Sequence, residues 1–495
     1  MLTINGNLLG SLTLAVMASV CVIFCNTSAT AENRKENGEE NGKKNGNENG
    51  KENGKENGED EKEQGWTFKA KLNRAMLFWN DGGRHSPDNY RKRGAYFVDN
   101  DQDSSGVEAE GKFKLGEGWT AVIKFALDAK VGSSNLVSQI DRRQTMEMKI
   151  GEATLEIGHE RWGKIKVGYG DSASDGVGNI NLAGSNVLAD AETNNWNDSF
   201  FLRAGGMGLT PLRWGDFFAG PNVGETGSFI TYVFPKVMGF ELAASVGQPL
   251  DIFLIIPPVA PFPGNVPDPK PPLIQQRLHG LITDVGLKYS QTWANAFLVK
   301  AQVGAFRDTT EDRDAIEPTN DTGWGASVAV RHIATGLNIA VNGGSVKHTD
   351  KCAERGAVTL SCRGEDKFLY TKGGIVRKFN AWGPTALYGE FYRGWRQQNS
   401  NDEDVLRNLE VNPLQAMELQ KSIQTVWGLG VVQTIDATRS RQVTTDLYLG
   451  YRNYALDVHL IGANAAAVPT RPINNWSAVM GGVRLRWGKI DKDDD

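Results

Sequence analysis

Between Trp66 and Trp487 apolar and polar residues alternate in run after run, each near the ~10 residues of a membrane-crossing strand, with almost no apolar stretch of helix length. In one run Trp119, Ala121, Ile123, Phe125, Leu127, Ala129 and Val131 are apolar, and Thr120, Lys124, Asp128 and Lys130 sit between them. Successive side chains of a strand point to opposite faces, so this run has one greasy face and one charged face. A soluble sandwich could use one such run. Many in succession behind an export signal predict an all-β fold, a closed transmembrane up-and-down β-barrel with lipid outside and water inside. Only closure satisfies every backbone polar group of a sheet in a bilayer.

Composition allows this. The mean hydropathy of −0.40 excludes a multi-helix membrane protein but not a barrel, whose strands are half polar. A net charge of −5 offers no basic surface, so no nucleic-acid partner is expected. The one long apolar stretch, Leu8 to Phe24, is followed by Ser28-Ala29-Thr30-Ala31, which reads as a secretory signal over 1–31 cut after Ala31. No Lys or Arg precedes the apolar run, and an uncleaved anchor is the other reading. Residues 32–65, with recurring Glu-Asn-Gly-Lys units and no apolar residue, read as a low-complexity, disordered linker. The barrel is expected over 66–488, and 489–495 is an acidic tail.

Sixteen strands are predicted, over 66–79, 95–114, 118–131, 150–160, 163–170, 226–234, 237–248, 279–291, 294–307, 321–335, 336–348, 366–379, 383–396, 422–437, 441–462 and 475–487. The connections alternate between tight (Gly116-Glu117, Trp162, Pro235-Lys236, Gln291 to Trp293, Asn380 to Trp382) and long (80–94, 132–149, 171–225, 249–278 and onward). Short turns at one rim and long loops at the other are the layout of an outer-membrane barrel. Val479, Val483, Leu485 and Trp487 are assigned outward with Arg484 and Arg486 inward. Val107, Ala109, Phe113 and Leu115 are outward with Glu108, Glu110, Lys112 and Lys114 inward, and Trp66, Phe68, Ala70 and Leu72 are outward with Lys69, Lys71 and Asn73 inward. A mid-membrane charge on the lipid face would cost roughly 2–4 kcal/mol, which fixes this phase. Strands twelve and thirteen alternate poorly, since Lys372, Arg377 and Lys378 occupy both faces of strand twelve. Either the register differs there or a neighbouring subunit covers that wall. Aromatics near strand ends, such as Trp119, Trp162, Tyr169, Trp324, Trp395, Tyr451 and Trp487, fit interfacial girdles.

The third long connection, Asp171 to Glu225, exceeds a simple loop and carries Asp171, Asp175, Asp190, Glu192, Asp198 and Asp216. Folded inward, it would narrow the lumen and set acids opposite the Lys and Arg of the wall, a transverse field that sieves solutes by size and dipole. Folded outward, it would be a surface loop. Cys352 and Cys362, a close pair in an exported chain, predict a disulfide. Asp99-Asn100-Asp101-Gln102-Asp103 with Glu110 mimics a calcium loop, but Ser104 stands where that loop needs Gly, and a polar strand is the plainer reading. Histidines form no metal cluster and no nucleophile motif is visible, so no cofactor, metal or catalytic residue is expected. The proline-rich stretch Pro249 to Pro272, beside Ile252 to Ile256, would pack on itself, over the mouth or onto a neighbour.

Leu72 to Gly82 (LNRAMLFWNDG), Tyr96-Phe97-Val98-Asp99-Asn100, Gly163 to Gly168 leading to Asp175-Gly176, Asn181-Leu182-Ala183 and Ser199 to Arg203 together resemble general bacterial porins, especially the alphaproteobacterial kind. The resemblance spans about residues 66–487, in specific motifs in the first half and in layout in the second. It implies a sixteen-stranded homotrimer in the outer membrane, inserted by the barrel-assembly machinery. It also implies passive diffusion of small hydrophilic solutes and ions, with Asp171 to Asp190 on a loop folded into the pore. Such porins end on an aromatic, whereas here Trp487 is followed by Gly488 to Asp495. The expected basic wall is Lys71, Lys112, Lys124, Arg331, Arg484 and Arg486, with the acids of the third loop opposite. The alternatives are a substrate-specific sugar or anion channel, or a barrel serving as adhesin or structural anchor.

Overall fold

A computed structural model describes residues 64–83, 88–141, 146–205, 208–221, 223–249, 251–255, 274–275, 279–310, 319–351, 361–398, 417–436, 443–462, 467–468 and 472–488. The expected signal and acidic tail, nearly all of the linker, Cys352 and the side chain of Cys362 lie outside the described residues.

The wall starts with β1 (Gly65–Asn80). Its neighbour is β2 (Arg93–Asp99), continued after a 3-10 turn at Asp101–Asp103 by β3 (Gly106–Gly116). Then come β4 (Trp119–Val131), β5 (Met146–His159) and β6 (Gly163–Asp171). A separate hairpin of β7 (Phe201–Ala204) and β8 (Gly208–Arg213) precedes β9 (Thr226–Val233) and β10 (Phe240–Pro249). The short β11 (Asp251–Ile255) and β12 (Ile274–Gln275) lead to β13 (His279–Trp293), β14 (Phe297–Thr310), β15 (Thr319–His332), β16 (Leu337–Lys351), β17 (Ser361–Asn380) and β18 (Gly383–Gln398). The wall ends with β19 (Met417–Asp436), β20 (Val443–Gly462), the short β21 (Ala467–Val468) and β22 (Trp476–Trp487). Each wall strand pairs antiparallel with the next, and β22 pairs back onto β1, with Asn73 opposite Arg484. With β2 and β3 counted as one interrupted strand, the wall is a closed barrel of sixteen strands. No helix among the described residues is long and apolar enough to cross a membrane, which says nothing against strands doing so.

Local sequence explains the tight rim. Glu117 and Gly118 join β3 to β4 with φ of +48° and +84°, the mirror-image turn whose twist matches a hairpin. The turn between β13 and β14 is Ala294–Ala296, later than expected, because Gln291 to Trp293 still pair with Phe297 to Val299.

The expected alternation holds. Trp66, Leu72, Phe78, Val107, Ile123, Phe125, Val483, Leu485 and Trp487 are exposed, and Asn73, Ala75, Leu77 and Trp79 are buried. Two expectations are corrected. The strand expected over 95–114 is broken, since Arg74 to Asn80 pair with β2 and Gly65 to Lys71 with β3. Side chains bridge the break: Asn73 N donates to Ser105 Oγ (2.9 Å) and Asn73 Nδ2 to Asp103 O (2.8 Å). The poor alternation expected on strands twelve and thirteen (β17 and β18) is also absent. Phe368, Tyr370 and Lys372 are buried while Lys367 and Leu369 are exposed, and Tyr388, Glu390 and Tyr392 are buried while Leu387, Phe391 and Arg393 are exposed. The β17–β18 register is regular from Gly364 to Arg377 and shifts between Arg377 and Asn380, at the tight turn. Alternation was hidden because the buried face is itself aromatic. Arg377 falls on the exposed phase and Lys378 on the other, both at the end of β17 next to the tight turn. In the proline-rich connection, the β11 backbone pairs with Met148 and Lys149 of β5, so this part lies against the chain's own wall.

Candidate functional site

Segment 172–225 is the largest interruption of the wall, and it is bound to the buried face of one strand after another. Its seat is a row of four glycines directly opposite one another: Gly286 (β13), Gly304 (β14), Gly325 (β15) and Gly344 (β16). A Cβ at Gly286 would come within 2.2 Å of Ala173 O, one at Gly304 within 2.8 Å of Ser174 Cβ, and one at Gly325 within 2.6 Å of Val223 Cγ2. Only glycine allows the segment this close. Polar anchors flank the row. Asp284 accepts from Ser174 N (2.8 Å) and Ser174 Oγ (2.7 Å), Ser327 Oγ donates to Val177 O (2.5 Å), and Ile180 N donates to Asn342 Oδ1 (3.1 Å).

Further along, the segment is clamped from buried side chains. Lys372 Nζ donates to Ala189 O (2.6 Å). Arg452 Nη1 (3.1 Å) and Tyr454 OH (2.6 Å) both donate to Thr193 O. The two held carbonyls bracket Asp190-Ala191-Glu192. Arg452 is fully buried, stacked over Trp196 at 4.8 Å and paired with Glu390, its Nε 2.7 Å from Oε1 and its Nη2 3.1 Å from Oε2. Tyr370 OH donates to Glu390 Oε2 (2.8 Å). Around this polar knot lies the largest apolar core of the described residues. It includes Leu188, Trp196, Phe200, Trp214 and Phe217 from the segment, and Tyr370, Tyr388, Tyr392, Tyr454 and Trp476 from the wall. Sequence reading missed it: a Trp or Tyr on the buried phase of a strand looks the same as a girdle aromatic. The inward glycines were the available signal.

At its far end, fully buried Arg203 of β7 lies 2.9 Å by Nε from Asp81 Oδ2, pairs with Asp88, and donates from Nη2 to Arg91 O (3.1 Å). Asn474 N donates to Arg203 O (2.9 Å) and Gly205 N to Pro472 O (2.9 Å). One arginine thus ties the hairpin to two other long connections.

The four acids expected at a constriction belong to this segment or its root. Asp171 and Glu192 are exposed, and Asp175 and Asp190 are half-buried. Burial and the nearby charges of Asp171 and Glu192 push the Asp175 carboxyl up to about 8. Glu192 reaches solvent, yet the surrounding protein and the charge of Asp190 push it up to about 7. Asp190 is raised by burial, against hydrogen bonds from Asn179 and from Glu192 N.

The expected basic wall is not a row of free cations. Lys71 pairs with Asp103, Lys112 lies 2.7 Å from Glu110, and Lys124 lies 2.9 Å from Glu152. Arg484 pairs with Asp103 and lies 2.7 Å from Asp446, and Arg486 lies 3.3 Å from Asp446. Arg331 is half-buried opposite Asn338. The stretch that mimicked a calcium loop is the turn in the wall, and its acids hold cations of the chain: Asp101 takes Lys130 at 2.6 Å, and Asp103 takes Lys71 and Arg484. Among the described residues, no group of three or more His, Cys, Asp or Glu is placed to hold a metal ion.

No family profile matches the chain. No curated protein matches it either. Solved structures do align with it at low identity. The anion-selective porin from Comamonas acidovorans matches over 86% of this chain and 100% of its own, at 12% identity and a TM-score of 0.48. OmpT, an outer membrane protein of Vibrio cholerae, matches over 85% and 97%, at 13% identity and a TM-score of 0.44. The outer membrane channel DcaP of Acinetobacter baumannii matches over 86% and 96%, at 11% identity and a TM-score of 0.42. At these values the reading of function rests on the chain's own geometry.

Proposed function

We propose that the chain is an outer-membrane channel of the general porin type, of the alphaproteobacterial kind, through which small hydrophilic solutes and ions diffuse passively. The observation that carries this reading is the closed wall whose exposed face is apolar around its circumference, while its other face holds ion pairs. Leu72, Ile123, Val167, Ile230, Val285, Val328, Ile339, Leu387, Leu429 and Val483, each on a different strand, are all exposed. An apolar belt on a barrel with no open edge suits hydrocarbon and little else. In this reading segment 172–225 folds into the lumen and narrows it. The bonds from buried wall residues to Ala189 O and Thr193 O support that placement, and in this reading Asp190 and Glu192 face the aqueous path. The protein assembles as a homotrimer, is exported with cleavage after Ala31, and works by selection at the constriction with no catalytic step.

Planar-bilayer recording tests this. Purified protein should give stepwise current, and the reversal potential in a salt gradient then reports the sign of the preferred ion. Absence of steps would sink the channel and favour an adhesin or anchor. Block by micromolar amounts of one solute would replace general diffusion with a specific channel.

A further inference from the structure

Three strands carry charge in the same order on the phase opposite the apolar belt. β14 has Lys300 near its short turn and Asp308 near its long connection. β15 has Arg331 and Asp321 in the same places, and β17 has Lys378 and Asp366. β14 and β15 run in opposite directions, yet the acid is at the long-connection end of both. The acids meet there. Asp308 is opposite Asp321, and His348 lies 2.9 Å by Nδ1 from Asp321 Oδ2 and 3.5 Å by Nε2 from Asp366 Oδ2. Arg396 Nε lies 3.6 Å from Asp366 Oδ2, while its Nη1 donates to Asp216 O of the segment at 2.6 Å. His348 and Arg396 are outnumbered by these acids, so this mouth is negative.

At the short-turn end Lys114 of β3 joins Lys300, Arg331 and Lys378. Lys114 and Lys378 are exposed, and Lys300 and Arg331 are half-buried. Among the described residues, the acids of this phase nearest the short turns already face cations. Glu110 lies 2.7 Å from Lys112, Glu156 3.0 Å from Lys164 and Asp446 2.7 Å from Arg484, and Glu241 is opposite Lys288. The turns set Glu117 and Glu160 against Arg161 and Lys236. This end is therefore positive. The glycine seat lies between the two zones: Gly304 falls between Lys300 and Asp308, and Gly325 between Asp321 and Arg331. From Asp321 to Arg331 the strand runs roughly 33 Å. The screening length is about 10 Å at 0.1 M salt, so each zone gathers its own counter-ions.

We propose that Lys114, Lys300, Arg331 and Lys378 form a second selectivity filter, a cationic collar for anionic solutes at the short-turn end, in series with the acidic mouth. The collar deepens the channel reading above and rests on it. Charged rings of this kind select by sign. Two of opposite sign in series make current depend on direction. With the long-connection side positive, cations are driven inward from the zone that holds cations and anions from the zone that holds anions. Both accumulate at the segment, and conductance rises. With the voltage reversed both are drawn away, and the middle is depleted of carriers.

Planar-bilayer recording of the intact protein at equal and opposite voltages tests this. Orientation is read from a biotin at Lys236→Cys, in the turn between β9 and β10, which streptavidin reaches from the short-turn compartment alone. Current should be about twofold or more larger with the long-connection side positive at about 0.1 M KCl, and less than about 1.2-fold larger at about 1 M, where the screening length falls to about 3 Å. Lys300→Gln/Lys378→Gln should abolish the asymmetry and move the reversal potential toward cations. Asp308→Asn/Asp321→Asn should abolish it too, but move the reversal potential toward anions. A defect of folding would not shift the two in opposite directions. Equal currents in both directions at low salt, an asymmetry that persists at high salt, or reversal potentials that move the same way in both variants would each overturn the proposal. Protein that passes no current would sink the channel and the collar with it. Current without asymmetry would leave the channel standing and remove only the collar.

Discussion

On β3 to β6 the side chains facing away from the apolar belt are charged and only partly buried: Glu110 with Lys112, Lys124 with Glu152, and Lys164 with Glu156. On β17 to β20 the same phase carries Phe368, Tyr370, Tyr388, Tyr392, Val426 and Tyr454, all buried. The alternation is the same and the use differs. The first arc meets solvent, so opposite charges pair along a strand, as Glu110 with Lys112, or across neighbouring ones. The second is covered by segment 172–225 and forms a core with it. The few charges admitted there, Lys372, Glu390 and Arg452, hold one another or a backbone carbonyl. Alternation in a barrel thus reports which face meets the apolar surroundings and leaves open whether the other face meets water or protein.

The largest expected effect lies in the covered arc. Arg452→Met leaves Glu390 buried without its cation, which should cost about 3–5 kcal/mol. Urea unfolding followed by tryptophan fluorescence measures it. Adding Glu390→Leu should recover most of that loss, because removing both charges removes the uncompensated one. A single variant as stable as the parent would mean that this arc is hydrated after all, and the contrast between the arcs would fall.

Next comes the glycine row. Gly304→Val puts atoms where Ser174 Cβ already lies 2.8 Å from an ideal Cβ. The strand pairing of β14 is untouched, so the barrel should still form while the root of the segment is pushed off its seat. The expected change is in conductance and ion preference, with strand content by circular dichroism unaltered. Unchanged single-channel behaviour would detach the segment from the conducting path.

These two tests mark what could be read from sequence. Strand phase was legible wherever one face was polar, as on β1, β3, β4 and β22, because a misplaced charge is expensive. It failed on β17 and β18, where both faces mix apolar and charged residues (Lys367 and Arg393 exposed, Lys372 and Glu390 buried) and period alone has little contrast to report. The acids proposed for the site were picked out by loop length and composition. Their restraint by Lys372, Arg452 and Tyr454 was not, since those partners come from strands far away in the chain. The basic wall was read without its partners: Glu152, Asp103 and Asp446 reach those cations only through register, and Glu110 lies two residues from Lys112 on the same strand.

The acids of the segment also predict a pH dependence. Asp175 ionises near 8 and Glu192 near 7, both above ordinary carboxyl values. Negative charge on the segment should therefore grow between about pH 6 and 9, and preference for cations, read as reversal potential, should grow with it. The folding linkage has the opposite sense. The folded chain keeps the Asp175 proton between the ordinary value of 3.8 and about 8, so this group's stabilising contribution is full below that window and is lost as pH rises through it. Asp175→Asn should flatten both curves. A reversal potential constant from pH 6 to 9 would mean that these carboxyls do not face the ions.

The smallest effect belongs to the solvated arc. Lys112→Gln breaks a pair in which the lysine side chain is 47% exposed. Such a pair is worth only about 0.2–1 kcal/mol, so the urea midpoint should scarcely move. Glu110 stays behind and water can hydrate it, unlike Glu390 in the covered arc. Removing one positive charge beside the aqueous path should nevertheless shift the reversal potential toward cations, and raising salt should erase that shift as screening shortens the reach of Glu110. A stability loss as large as that of Arg452→Met would mean that Lys112 is buried by something the chain alone does not supply, and the two arcs would then differ in degree and not in kind.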